Sequence, residues 1–286
     1  MEESAKQHND ELMKNGYEIL ERCIEEDFPC FIWGGGAIYH YLNGNLNYRK
    51  MSDIEFLLPK SADSKMQNIL EQMDFIPYST FNNIQNMYPM PRREFYLPDR
   101  KLTDLEIEDI KHGRKSNIKN VNLKKIELFV DGIRMCWKFT LKELPKSYAD
   151  SRICPPGFQV ALKINAVHPD DFDLKDAQDI SQIFNKPTLK INSLDTIISE
   201  PKIDESLECC IGTKTFERIS RTKDQFATVA FRNLSNVLEV TELTDAGKSK
   251  IEELMAFLET LKKNDHAGFF AHLRREKPVR VDARER

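Results

Sequence analysis

The sequence predicts a mixed α/β fold that is followed by a helical region. A short apolar run, a glycine triplet, a breaker-free segment and an acidic strand succeed one another over residues 31–58, and a second apolar strand follows at 124–130. Long stretches with helical periodicity follow residue 190. These observations indicate two units, an α/β domain over residues 1–190 and a helical domain with a basic tail over residues 191–286.

Helical spacing of apolar residues predicts several helices around the sheet. They span residues 4–26, 64–73, a segment from 157, a segment from 173, then 213–239, 245–263 and a short third helix near 269–273. Thr244 is placed to cap the helix from residue 245. Because residues 77–100 are rich in proline and asparagine, we expect irregular chain or short edge strands there.

The composition excludes several classes of protein. Of 286 residues, 40% are apolar and 31% are charged, as in globular proteins, and the net charge of −4 argues against coating nucleic acid through bulk charge. The six cysteines form no C-x-x-C pair, which predicts reduced thiols rather than disulfides or zinc. No run approaches the roughly 18 apolar residues of a membrane span. We therefore expect a cytoplasmic protein without a membrane partner.

Two carboxylates lie on the acidic strand that follows the glycines. Asp53 and Glu55 are two residues apart, so both side chains point to the same face of an extended strand. Neighbouring carboxylates repel each other unless a cation lies between them, and hard oxygen ligands suit Mg²⁺. Glycines 34–36 would let a phosphate approach backbone amides at a helix start. The combination indicates phosphoryl chemistry.

Glu127 lies in the middle of the apolar strand 124–130, where a charge is costly unless something offsets it. One interpretation is an edge strand that exposes Glu127 to water. The other makes Glu127 a third metal ligand beside Asp53 and Glu55. Asp131, in the turn that follows, is the competing candidate for that role.

The motifs GGGA (34–37) and RKMSDIEF (49–56) resemble the GG-x-A…R-x-x-x-D-x-D signature of the nucleotidyltransferase superfamily, most closely its AbiEii/AbiGii toxin-type branch. The resemblance covers roughly residues 28–184 and implies a nucleotidyltransferase-type mixed sheet flanked by helices, with Glu127 as the third acid on a later strand. It also implies site lysines at Lys163 and at Lys175, the latter next to Asp176. The sequence departs from the family at Asp173, where an arginine is expected. This change weakens triphosphate binding or leaves the role to another cation.

The resemblance implies transfer of a nucleoside monophosphate from an NTP to a hydroxyl acceptor. In the toxin-type branch this acceptor would be RNA or tRNA, and an antitoxin protein would neutralise the enzyme. Mg²⁺ or Mn²⁺ would be held by the catalytic acids Asp53, Glu55 and Glu127. The nucleotide would be held by Gly34, Gly35, Lys163, Lys175 and Asp176.

Two alternatives to RNA modification stay open. In the first alternative, the protein is an enzyme of the same superfamily whose acceptor is a small molecule. A non-catalytic relative that binds a nucleotide or a protein is the other alternative, and glutamate rather than aspartate at positions 55 and 127 favours it. Two roles also stay open for the basic residues Arg92, Arg93 and Arg100 and for the basic cluster 111–125. They form either a solvated face or a binding surface for a phosphate-bearing acceptor.

Overall fold

A computed structural model of the chain describes residues 2–86, 91–134, 138–140, 152–154, 156–164, 172–186 and 223–261. Its strands are β1 (Phe31–Trp33), β2 (Asp53–Leu58), β3 (Ile76–Pro77), β4 (Arg92–Pro98), β5 (Leu123–Val130), β6 (Gly132–Arg134) and β7 (Lys138–Thr140). The first five form one sheet in the order β1-β2-β5-β4-β3, in which only β2 and β5 run parallel. Strands β6 and β7 pair separately. The mixed α/β class is therefore confirmed.

The helices agree well with the periodicity of the sequence. They are α1 (Glu2–Glu25), α2 (Gly34–Tyr41), α3 (Asp63–Gln72), α4 (Ser79–Gln85), α5 (Asp104–Lys111), α6 (Pro156–Ile164), α7 (Leu174–Asn185), α8 (Lys223–Val240) and α9 (Asp245–Leu261). Thr244 caps α9, since its hydroxyl accepts a hydrogen bond from the Gly247 amide at 3.0 Å. The predicted short helix near 269–273, the basic tail and the boundary near 190 lie outside the described residues.

One apolar core runs from α1 through the sheet to the last two helices. Leu12 of α1, Phe56 of β2 and Leu254 of α9 belong to the same buried cluster. Within the described part, no helix is long and apolar enough to cross a membrane. The described cysteines Cys23, Cys30 and Cys154 are buried and form no disulfide.

Strand β5 lies in the interior of the sheet, between β2 and β4. Glu127 is only 3% exposed there, so the interpretation of an exposed edge strand is wrong. The expectation for residues 77–100 holds at Pro77, where the short edge strand β3 ends. It is wrong for residues 79–85, which form α4, and for residues 92–98, which form an internal strand.

Helix α1 fixes the loop that connects α2 to β2. The side chain of Asn9 is fully buried, and it donates to the carbonyls of Leu46 and Arg49 at 2.8 and 3.0 Å. It also accepts a hydrogen bond from the Met51 amide at 2.8 Å. Because a buried amide is stable only when its hydrogen bonds are made, these contacts hold one loop conformation and bring Arg49 to the site described below.

Candidate active site

The register of the sheet places three glutamates side by side. Glu55 of β2 pairs with Glu127 of β5, which in turn pairs with Glu94 of β4. Residues directly opposite each other on paired strands project to the same face, so the three side chains form one line, called here the acidic row. Asp53 lies on the same face, opposite Lys125. The sheet therefore brings Glu127 beside Asp53 and Glu55, although it lies far from both in the sequence.

Two cations of the neighbouring strands bind the acids directly. The ammonium of Lys125 lies 2.5 Å from both Asp53 Oδ2 and Glu127 Oε1. Nη2 of Arg92 donates to Glu127 and, at 3.3 Å, to Glu94 Oε1. Among the described residues, Glu55 has no hydrogen bond or ion pair of its own. It is therefore the acid of the row whose charge has no bonded cation.

The electrostatic surroundings shift the pKa values of the three predicted acids in different directions. Burial, together with the charges of Asp53 and Glu127, raises the pKa of Glu55 to about 8. Burial acts to raise the pKa of Asp53 too, but Lys125 outweighs it and the pKa is lowered. For Glu127, burial outweighs the attraction of Arg92 and the pKa is raised. Glu55 is thus the acid that gains most from an added cation.

The glycines after β1 allow a close approach of the acidic row to the start of α2. Gly34 has a φ of +61°, and a Cβ there would lie 1.6 Å from Glu55 Oε2. At Gly35 a Cβ would lie 3.2 Å from Nη2 of Arg49. The amide of Gly34 donates to Gln159 Oε1 of α6 at 2.8 Å. The glycines therefore place the first turn of α2 between Glu55 and Arg49.

A second charged cluster joins α6, α7 and the loop before β2. Lys163 lies 2.5 Å from Asp176 Oδ1 and 3.0 Å from Asp179 Oδ2. Arg49 binds Asp179 through two hydrogen bonds of 2.8 and 2.7 Å, and the Tyr48 hydroxyl donates to it at 2.6 Å. Lys163 is largely buried and close enough to Glu55 to act on its pKa. Lys163 is therefore not a lysine of the helix surface.

Lys175 is not brought into either cluster. Its side chain is half exposed and its nearest acid is Asp173, at 3.8 Å. Asp173 is the N-cap of α7, because its carboxylate accepts a hydrogen bond from the Asp176 amide at 3.0 Å. An aspartate at position 173 thus has a local structural reason.

The competing candidate Asp131 lies in the turn after β5 and accepts a hydrogen bond from the Lys60 amide at 2.7 Å. It supports the turn rather than the acidic row.

Much of the basic surface predicted for an acceptor is internally paired. Arg93 is buried and binds Asp63 through two hydrogen bonds of 2.7 and 2.5 Å, so it presents no accessible charge. Arg100 binds Glu106 at 2.6 Å. In the cluster 111–125, further cations also have partners: Lys111 with Glu108, Arg114 with Asp109, Lys115 with Tyr96 and Lys125 with the acids above. These contacts favour a mostly structural role for the basic residues.

The carboxylate oxygens suit a divalent cation, but the Lys125 ammonium occupies the position between them. Asp53 and Glu127 supply hard carboxylate oxygens that reach one common cation, the Lys125 ammonium. Within the described ranges, no group of three His, Cys, Asp or Glu side chains is arranged to hold a metal ion. A metal between these acids therefore requires the Lys125 side chain to turn away.

Comparison with protein-family models, with curated proteins and with solved structures finds no match to this chain. The arguments about function consequently rest on the residues and their geometry.

Sequence reasoning missed Glu94 and did not assign Arg92 and Lys125 to the acids. A signal was present in the sequence RREFYLP, where Arg92, Glu94 and Tyr96 alternate with Arg93, Phe95 and Leu97. Such alternation is typical of a strand with one polar face. The prolines on either side obscured it, because they favour loops.

Proposed function

We propose that this protein transfers a nucleoside monophosphate from an NTP to a hydroxyl acceptor with the help of Mg²⁺ or Mn²⁺. One observation carries the proposal: Asp53, Glu55 and Glu127 share a face of two parallel strands, and the lack of a side chain at Gly34 brings the start of α2 against Glu55. Carboxylates placed next to glycines at a helix N-terminus suit the metal and the phosphates of a nucleotide.

In this proposal the acids bind the metal and other residues bind the nucleotide. Asp53, Glu55 and Glu127 would hold the metal, which supplies charge neutralisation at the transferred phosphoryl group and favours ionisation of the acceptor hydroxyl. For these acids to hold a metal, Lys125 would have to give up its ion pairs with Asp53 and Glu127. Lys163, whose charge acts on Glu55, would offset phosphate charge, and Gly35 would present its backbone to the nucleotide beside Arg49.

The resemblance to the toxin-type branch favours RNA, including tRNA, as the acceptor and an antitoxin protein as the partner. A small-molecule acceptor is the alternative within the same chemistry.

A second candidate is a non-catalytic relative that binds a nucleotide or a protein. The ion pairs of Lys125 with Asp53 and Glu127 favour it, because an internal ammonium already stabilises the two carboxylates without metal. In this candidate the acids serve the fold, and no transfer occurs.

Incubation with each labelled NTP, Mg²⁺ and total RNA separates these candidates. We expect label in RNA, loss of labelling with EDTA, and at least a 100-fold loss in Glu55→Gln. Glu71→Gln, an exposed acid on α3, is the matched control and should label as the wild type does. Label in a small-molecule fraction alone would identify the other acceptor class. No label with any NTP, while the protein still binds nucleotide, would support the non-catalytic candidate.

A further inference from the structure

Arg92 is placed at the edge of the acidic row, and its side chain is partly open to solvent. It lies opposite Phe129 in the register of β4 and β5, and its side chain is 37% exposed. The guanidinium carbon is 5.6 Å from the centre of the Phe129 ring and 5.7 Å from that of Phe81. The two rings and the acids therefore fix the position of a cation that is still accessible.

The hydrogen bonds of Arg92 are incomplete. A guanidinium carries five N–H donors, and two acids of the row, Glu127 and Glu94, are bound by the same nitrogen, Nη2. Nε is buried and has no partner among the described residues. An unpaired buried donor destabilises a protein unless something satisfies it, so this nitrogen indicates a missing acceptor.

A second unpaired donor lies on the same face. Nε1 of Trp33 is buried without a partner in the described part of the chain, and Trp33 is only 7% exposed. Its ring packs edge-on against Phe129, with 4.8 Å between the ring centres. Phe129 thus contacts two side chains that each have an N–H group without an acceptor.

We propose that Arg92, Phe129 and Trp33 form a phosphate-binding subsite beside the acidic row. The inference rests on the proposed function, which it deepens by naming the residues that take a phosphate group. Guanidinium groups pair well with phosphate oxygens, and a partly exposed ring next to them suits the ribose or base of a nucleotide. The phosphate comes either from the NTP or from the backbone of an RNA acceptor.

Binding measured without metal tests the subsite independently of transfer. Titrations in EDTA would use ATP, pyrophosphate and an RNA oligomer with a 5′-hydroxyl end, with calorimetry as the readout. We expect Arg92→Gln to weaken binding about 10- to 100-fold, and Arg92→Lys to recover part of the loss. Arg22→Gln, at a partly exposed arginine on α1 that pairs with Glu18, makes the same change of charge and should bind as the wild type does.

The arms of the titration also identify the source of the phosphate. A loss confined to ATP and pyrophosphate supports a subsite for the NTP, whereas a loss confined to RNA supports a subsite for the acceptor backbone. Unchanged affinity for all three ligands in Arg92→Gln, or a wild type that binds none of them, overturns the proposal.

Glu94→Gln separates binding from a structural effect. It removes a carboxylate that competes for Nη2 of Arg92, so we expect severalfold tighter phosphate binding, whereas Glu71→Gln should change nothing. The double variant Arg92→Gln/Glu94→Gln restores the local net charge and should still bind weakly. If Glu94→Gln weakens binding as much as Arg92→Gln does, Arg92 is structural and the subsite is refuted. If the wild type shows Arg92-dependent binding but labels no acceptor, the subsite stands and the transfer reaction fails.

Discussion

At the scale of single residues, the contact between Gly34 and Glu55 is the most demanding feature of the site. The backbone of Gly34 is in the left-handed region, with a φ of +61°, and the carboxylate of Glu55 occupies the space of a side chain. Two independent reasons therefore require glycine here. One is conformational and the other is steric.

Gly34→Ala should destabilise the protein by more than a positive φ alone explains. The strained backbone costs about 1–2 kcal/mol, and displacement of Glu55 adds to it. Gly44→Ala is a suitable control, because Gly44 has a φ of +78° but its Cβ would meet only the Tyr39 hydroxyl, at 3.1 Å. Denaturant unfolding of both variants measures the difference. Equal losses of unfolding free energy would show that Glu55 does not press against Gly34.

At the scale of secondary-structure elements, one buried carboxylate holds three segments together. Asp179 of α7 accepts hydrogen bonds from Tyr48 and Arg49 of the loop before β2 and pairs with Lys163 of α6. Burial acts to raise its pKa, but Lys163 and Arg49 outweigh burial and lower the pKa to about 2. Asp179 is therefore ionised in the folded protein at pH values where an ordinary aspartate takes up a proton.

The stability that Asp179 contributes should depend on pH in a defined window. Because its folded pKa is about 2 and its ordinary value is 3.8, the contribution is complete above pH 3.8 and is lost as the pH falls through 2. The difference in unfolding free energy between wild type and Asp179→Asn should therefore shrink by roughly 2 kcal/mol across that window. Tyr48→Phe, which removes one hydrogen bond, should show a smaller part of the same trend. A difference independent of pH would contradict an ionised, paired Asp179.

The elements also show what local sequence determines. The succession of β1, α2 and β2 and the shared face of Asp53 and Glu55 follow from short-range periodicity, and the structure has all of them. The central position of β5 does not, because strand order depends on contacts between distant segments. The pairing of Glu127 with Glu94 is set by the same long-range register. Helix periodicity predicts the helix that contains Lys163. The burial of its side chain depends on the packing of α6 on α7, which local sequence does not determine.

At the scale of the whole molecule, the sheet carries a cluster of carboxylates, and the cations of the fold neutralise only some of them. Lys125 and Arg92 bind Asp53, Glu127 and Glu94, so three carboxylates share two cations. Glu55 adds a fourth carboxylate without a bonded cation in the described part of the chain. A charge that is buried beside like charges lowers the stability of the folded state.

Substitutions of Asp53 and Glu55 should consequently have opposite effects on the unfolding free energy of the metal-free protein. Asp53→Ala breaks the ion pair with Lys125 and should cost about 1–3 kcal/mol of unfolding free energy, since Lys125 keeps only Glu127. Glu55→Gln keeps the shape next to Gly34 and removes a carboxyl group that folding forces to keep its proton, so it should stabilise the protein above the ordinary pKa of a glutamate. Because the pKa of Glu55 rises from 4.5 to about 8 on folding, the gain should increase by up to about 1.4 kcal/mol per pH unit between those values.

Thermal melts in EDTA and in Mg²⁺ with NTP measure both effects. The wild type should melt higher in Mg²⁺ with NTP, because a ligand that binds only the folded state stabilises it, and both variants should lose this shift. Glu71→Gln should keep the shift and melt as the wild type does in EDTA. If Glu55→Gln instead lowers the melting temperature in EDTA and Mg²⁺ with NTP leaves the wild type unchanged, the carboxylates of the sheet are structural and hold no metal.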